Sequence, residues 1–312
     1  MTDTAAPQAA ASAILKTRRT KVRRPATHFD ANPARAGWVT KIVLIVLCAL
    51  WLIPLIGTLV TSFRTVDAAA NTGWWSVIVH PSTLSSLTLQ NYKTALGGTT
   101  DMGQAFVNSL AITLPATFIP ILFASFAAYA FTFTEFRGRE FLFLAIVSML
   151  VVPNYVAFIP ILKLYKIVGL SGTFPSVWLF HIAFGMSLAI YILRNYMSTL
   201  PKTVIESAKM DGASHYQTFY RLVLPMSVPA LASFAIFQFL WVWNDLLVAL
   251  VFIGPGSNQP VTVALTELKG QLGQGWELTT AGGFVTMILP VIVFLALQRF
   301  FIRGLTAGAV KG

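Results

Sequence analysis

The sequence predicts an all-α integral membrane protein with six spanning helices. Of 312 residues, 56% are hydrophobic and 11% charged, and the mean hydropathy is +0.71. Six apolar stretches are long enough to cross a bilayer, and the Lys and Arg residues split unevenly between alternate connections. A soluble domain carries roughly a quarter charged residues, so this chain is too apolar to be wetted, which excludes an ordinary cytosolic enzyme. Each span takes about 20 apolar residues, so the length fits one membrane domain with short tails.

Residues 1–37 read as a disordered basic tail. They are rich in Ala, Pro and Thr, carry Lys16, Arg18, Arg19, Lys21, Arg23, Arg24 and Arg35, and show no periodic face to bury. The first apolar stretch, Trp38–Ser62, begins too deep in the chain for a signal peptide, and no convincing small-residue cleavage site follows it, so it is read as an uncleaved first helix. The single cysteine, Cys48, lies inside it as a small membrane residue; there is no disulfide framework and no cysteine-based metal site. This helix and the outer loop after it make up residues 38–104. A core, 105–302, holds the other five stretches: Ala105–Phe131, Phe141–Leu162, Phe174–Tyr196, Val228–Ile253 and Ala281–Ile302. Residues 303–312 are a C-terminal tail. Pro54, Pro115, Pro120, Pro153, Pro160 and Pro290 fall inside the stretches and predict kinks, tolerated in a bundle where neighbours satisfy the freed carbonyls.

Six spans place both termini on one side of the membrane. The chain up to Lys41, the Phe133–Glu140 turn, the Arg194–Arg221 segment and the C-terminal end from Arg299 hold 17 of the 22 Lys and Arg; Arg64, Lys93, Lys163, Lys166 and Lys269 lie opposite. The positive-inside rule then sets both termini in the cytoplasm. The net charge of +11 is thereby mostly topology, and no nucleic-acid partner is expected. Two outer loops stand out by length: Phe63–Gln104, with Trp74, Trp75 and Tyr92, and Gly254–Thr280, with Trp276. Two readings of these aromatics stand side by side, anchors at the bilayer interface or a landing surface for an external partner.

The cytoplasmic connection 198–227 is too long for a simple link and too regular for disorder. Val204, Ala208 and Met210 share one side of a short helix, with Glu206 and Lys209 on another. Asp211-Gly212 stops that helix, since glycine takes positive φ at least cost. Ser214 then caps a second short helix carrying Phe219, Leu222 and Val223, which ends before Pro225. The spacing builds a helix–turn–helix bracket lying along the membrane.

Those residues also carry a family resemblance. Glu206-Ser-Ala-Lys-Met-Asp-Gly-Ala213, followed by Phe219, Leu224-Pro225 and Pro229-Ala-Leu231, resembles the EAA motif of bacterial ABC importer permeases, in the form of the carbohydrate-uptake, maltose-permease type. Phe106-Val-Asn-Ser109, Trp243-Asn-Asp-Leu246 and Arg303-Gly-Leu-Thr-Ala-Gly-Ala-Val-Lys-Gly312 are similar to further parts of that type, so the resemblance runs from about Trp38 to the end. Ser207 departs from the usual alanine but is also small. The resemblance implies the six-transmembrane-helix ABC importer permease fold with a cytoplasmic coupling helix, in a bacterial cytoplasmic (inner) membrane. It implies that Glu206, Ser207, Ala208, Asp211, Gly212, Ala213, Phe219, Leu224 and Pro225 couple to a separate ATPase dimer, and that Gly308, Ala309, Val310, Lys311 and Gly312 insert between the ATPase subunits. The remaining implied partners are a second homologous permease subunit, an extracytoplasmic sugar-binding protein, a di- or oligosaccharide and membrane lipid.

ATP and Mg belong on the partner ATPase, since this chain has no Gly-x-x-x-x-Gly-Lys-[Ser/Thr]: Gly98 to Gly103 has the glycine spacing but is followed by Gln104. His28, His80, His181 and His215 lie on different segments without ligand spacing, so no metal is assigned. No nucleophile, base and acid set converges, so no catalysis is expected on this chain. Asn244-Asp245 places an acidic residue inside the fifth stretch, read either as lining a solute path or as an interhelical contact, the latter slightly favoured. Trp241, Trp243 and Tyr191 supply aromatic faces for a sugar if the path runs there. The rival class, an ion-gradient-driven secondary carrier or channel, calls for several buried ionisable residues and internal repeats, and the sequence offers only Asp245 and no repeat.

Overall fold

The computed structural model describes residues 37–97, 101–268 and 275–309, and within them the chain is helical with short connections. Residues 1–36 and 310–312, with most of the basic tail and Val310, Lys311 and Gly312, lie outside the described residues. The backbone divides into two units at Ile53–Pro54, and the packed core lies within the second.

Helix α1 (Trp38–Ser62) buries only Gly57 and Ser62. Three short helices follow, α2 (Val66–Asn71), α3 (Ser76–Val79) and α4 (Gln90–Gly97). Helix α5 (Met102–Phe133) starts at Asp101, whose carboxylate accepts the Gln104 N–H at 3.2 Å. Helices α6 (Arg139–Ser148) and α7 (Phe158–Ile167) are followed by α8 (Phe174–Met197), which has Pro175 in its first turn. The bracket comprises α9 (Lys202–Met210), α10 (His215–Thr218) and α11 (Leu224–Met226). Then come α12 (Val228–Asn244), α13 (Leu247–Phe252), α14 (Val261–Glu267) and α15 (Trp276–Ala309). Among the described residues, four helices are long and apolar enough to cross a membrane, or six if each of two bent pairs counts as one span.

The bent pairs are where the structure departs from simple kinks. The third stretch turns by 90° between the segments Arg139–Val151 and Asn154–Ile167. Val152 is extended there, at ψ 120°, because a residue before proline is pushed out of the helical region by Pro153. The fifth stretch does not run unbroken to Ile253: α12 stops at Asn244, Asp245 is extended, and α13 begins anew. At the other end, α15 continues to Ala309, although the glycine-rich sequence 303–312 reads as too flexible for a helix on its own. Extension of an existing helix needs no new nucleus, which offsets the poor propensity.

Helix α5 packs along α8, and α12 packs against α5, α8 and α15. Ala124 and Ala128 of α5 and Ala189 of α8 are fully buried, and such small residues let helix backbones approach closely in a membrane bundle. At Gly185 the approach is closer still, since an added Cβ would lie 2.6 Å from the Gln238 amide.

Three prolines inside the helices are each matched by a side-chain donor from another helix. A proline inside a helix leaves the carbonyl four residues earlier without its N–H. Pro115 frees Ala111, and Trp178 Nε1 donates to that carbonyl at 3.0 Å. Pro120 frees Ala116, which accepts Gln238 Nε2 at 3.1 Å. Pro290 frees Thr286, which accepts Trp243 Nε1 at 3.1 Å. The kinks are thus tied to α8 or α12.

The long connections are held by buried polar residues. Arg64 donates to the Thr72 carbonyl at 2.9 Å, and to Ala68 O and Thr72 Oγ1, closing the end of α2. Asn91 Nδ2 bridges the carbonyls of Ser62 and Arg64. Asn108 Nδ2 bonds the carbonyls of Ser257 and Gln259, and Ser109 Oγ accepts the Val261 N–H, so α5 fixes the chain entering α14. Trp74, Trp75 and Trp276 come together around one cavity of about 330 Å³, with Arg64 in its wall.

Candidate functional site

The bracket is rooted at one residue of its first helix. In α9 only Ile205 is buried, at 3% exposure, and it packs in a cluster with Tyr129, Met197 and Phe219. Ala208 is half-buried one turn later, so the anchoring face is Ile205/Ala208. The expected face, with Val204 and Met210, is corrected: Val204 is 40% and Met210 82% exposed. Glu206, Ser207, Lys209 and Asp211 are also exposed, and Glu206 forms no ion pair among the described residues.

The turn after α9 closes as its residues require. Gly212 sits at φ +80°, its N–H donates to the Lys209 carbonyl at 3.1 Å, and the Ala213 N–H donates to Ala208 at 3.0 Å. This pair of bonds is the Schellman closure, which satisfies carbonyls the helix end leaves open. Nothing lies within 4 Å of a Cβ built on Gly212, so its φ alone demands glycine. Ser214 and Gln217 then form a reciprocal capping box, Ser214 Oγ accepting the Gln217 N–H and Gln217 Oε1 accepting the Ser214 N–H.

Beyond α10 the helical path does not end before Pro225. A π-turn, Phe219–Val223, leads into α11 with Pro225 in its first turn, and the break comes at Ser227, where the axis bends by 69° into α12. A wide π-turn and a first-turn position both spare the proline from interrupting an ordinary helical ladder. Phe219 and Val223 are buried, Leu224 and Ala213 half-buried, and Pro225 exposed. Phe219 stacks on Phe126 of α5 with centroids 4.7 Å apart and meets Tyr129 edge-on. His215 Nδ1 lies 3.0 Å from Tyr129 Oη. Neither Tyr129 nor His215 stood out in the sequence; the aromatic run Phe126, Tyr129, Phe133 at helical spacing was the available signal.

The bracket is therefore closed at its turn, rooted on α5, and joined to α12 through the bend at Ser227, while α9 presents an exposed face with Glu206, Met210 and Gly212. Close to the bracket, Glu140 pairs with Arg139 at 3.1 Å and Arg194 at 3.6 Å, and Arg194 also lies over the Phe143 ring.

The residues considered for a solute path are scattered. Asp245 accepts the Val248 N–H at 2.7 Å and so caps α13, and its carbonyl accepts Thr262 Oγ1. Asn244 Nδ2 bonds back to the Leu240 carbonyl within its own helix. Trp243 is buried on the Thr286 carbonyl, Trp241 lies edge-on to His181, and Tyr191 is 40% exposed. Of the tail residues, Gly308 and Ala309 belong to the end of α15. No group of three or more His, Cys, Asp or Glu is placed to hold a metal among the described residues.

Comparison with known proteins gives this arrangement relatives. Residues 120–307 match the family described as binding-protein-dependent transport system inner membrane component. The osmoprotective compounds uptake permease protein GgtD of Synechocystis sp. is 50% identical over 86% of this chain and 91% of its own length. The alpha-glucoside transport system permease protein AglG of Rhizobium meliloti is 51% identical over 72% of this chain and 60% of its own length. The trehalose transport system permease protein SugB of Mycobacterium tuberculosis is 35% identical over 73% and 84%. In fold, the chain is similar to a chain of a bacterial ABC transporter involved in the import of alginate, with a TM-score of 0.69 at 21% identity, covering 84% of this chain and 95% of that one.

Proposed function

The chain belongs to the binding-protein-dependent transport system inner membrane components, and from that premise we propose that it is one of two permease subunits of an ATP-driven sugar importer. The observation that carries the coupling role is the build of the bracket: α9 is closed by Gly212, rooted through Ile205, and turned outward with Met210 exposed. A short stiff helix of this kind passes a displacement on to α12, which a flexible loop does not. A separate ATPase dimer binds ATP and Mg and grips α9 through Glu206, Ser207, Asp211 and Gly212. The small side chain of Ser207 on the exposed side lets its surface come close, and Gly308–Gly312 add a second contact between the ATPase subunits. Hydrolysis belongs to that partner; this chain is a non-catalytic path and lever.

The relatives support a class of solute. Permeases named for alpha-glucoside and trehalose transport are 51% and 35% identical over about three quarters of this chain, which supports a di- or oligosaccharide. An extracytoplasmic binding protein delivers it; a second structure of similar fold, a bacterial alginate ABC transporter in complex with an alginate pentasaccharide-bound periplasmic protein (TM-score 0.59), supports such a partner. The distribution of 17 against 5 basic residues supports cytoplasmic termini, with the bracket on the same side.

Reconstitution tests the proposal. The chain, co-expressed with its permease and ATPase partners and placed in proteoliposomes with a loaded binding protein, takes up trehalose or maltose only when the ATPase is supplied with ATP. Uptake by the chain alone, driven by an ion gradient without ATP, overturns it.

A further inference from the structure

Gln238 lies in the middle of α12, fully buried, and its amide joins three helices. Nε2 donates to the Ala116 carbonyl of α5 at 3.1 Å and to the His181 carbonyl of α8 at 3.3 Å. The first acceptor is the one that Pro120 leaves open, so it is free for an outside donor. The second lies one turn from Gly185, whose missing Cβ makes the slot for the amide. Gln238 Oε1 has no hydrogen-bond partner among the described residues. A leucine would fill the same slot without burying an unpaired oxygen, so the residue's role turns on its two N–H groups.

The same helix leaves the bracket. From Ser227 onward α12 continues the segment that the ATPase is proposed to move, and Gln238 stands three turns into it. Near the bracket, α5 is already tied by the Tyr129–His215 bond. A second tie deeper in the bundle is what a lever needs if α5 and α8 are to follow α12 rather than slide past it.

We infer that Gln238 is a coupling residue: its amide grips the Pro120-freed carbonyl of Ala116 together with the His181 carbonyl, so that α5, α8 and α12 move as one body through the transport cycle. This rests on the reading of the chain as an ATP-driven permease. It assigns Gln238 a role in positioning helices, with no contact to nucleotide or sugar required.

The competing explanation is that Gln238 only satisfies an orphaned carbonyl. A double variant separates the two, because Pro120→Ala returns an N–H to Ala116. Sugar taken up per ATP hydrolysed is measured in proteoliposomes for wild type, Gln238→Leu, Pro120→Ala and the double variant. The grip predicts that Gln238→Leu lowers this ratio by about three- to tenfold, the range that one interhelical hydrogen bond supports. It also predicts that the double variant regains membrane abundance while the ratio stays low. A wild-type ratio in either Gln238→Leu or the double variant overturns the inference. Should neither variant accumulate, structures of the wild-type complex without and with nucleotide decide: both Gln238 bonds persist in the two states, and loss of either overturns the grip. Absence of ATP-dependent uptake by the wild type counts against the permease reading itself, whereas wild-type uptake with an unaltered Gln238→Leu ratio counts against Gln238 alone.

Discussion

Tyr129 Oη and His215 Nδ1 meet at 3.0 Å and fasten the first turn of α10 to α5. The ring of Tyr129 also packs on Phe133 and Phe219, so the hydroxyl is one point in an aromatic joint between the bundle and the bracket. Tyr129→Phe keeps that packing and removes only the hydrogen bond, worth about 1 kcal/mol. Amide hydrogen exchange across 215–223 is expected to speed up by about fivefold, as that energy implies if those amides exchange through opening of the joint. Unchanged exchange assigns the joint to packing alone.

Gly212 supplies a second prediction. Its φ of +80° costs an L-residue about 1–2 kcal/mol, and there is open space around it, so side-chain size matters little except through the backbone. Coupled uptake should fall in the order Gly212→Asn, Gly212→Ala, Gly212→Val, because asparagine tolerates the left-handed region and a β-branched residue does not. Equal uptake by Gly212→Val and wild type removes the turn from the mechanism.

Ser214 and Gln217 predict a stability effect confined to the bracket. Ser214→Ala removes the Oγ that accepts the Gln217 N–H, leaves the backbone N–H that bonds Gln217 Oε1, and should cost about 1 kcal/mol, while Ser214→Asp retains an acceptor and most of the stability. Exchange rates at residues 215–218 read the difference directly. An alanine variant with wild-type rates contradicts the cap.

Trp243 makes a prediction about the membrane core. Trp243→Phe keeps an aromatic ring beside Phe106 and Phe239 but leaves the Thr286 carbonyl without a donor. Loss of about 1–2 kcal/mol is expected in thermal unfolding of the detergent-solubilised chain. Pro290→Ala in the same chain should recover most of it by returning a backbone N–H. A double variant no more stable than Trp243→Phe shows that the loss is one of packing.

Local chemistry made much of this legible beforehand. The stop at Gly212 and the cap at Ser214 depend on residues within one turn of each other, so their sequence was sufficient. The prolines announced orphaned carbonyls, but not which side chains would answer them: Gln238 is 122 residues from Ala116, and only the packed bundle brings them together. The buried face of α9 was misread by one position because Val204 and Ile205 are equally apolar, and the choice between them is made by Tyr129, Met197 and Phe219. Pro225 looked like a helix end, and only the preceding π-turn lets it stay inside one. Asp245 in an apolar stretch suggested a solute path or, slightly favoured, an interhelical contact; a capping role shows itself only once α12 is seen to stop one residue earlier.

Docking of α9 on an ATPase can be read with a photo-crosslinker at Met210, the most exposed large hydrophobic residue of the bracket. In the assembled complex, irradiation should join position 210 to an ATPase subunit, with the same probe at Trp75 giving no ATPase adduct. A complex that retains its ATPase yet yields no adduct from position 210 contradicts the account.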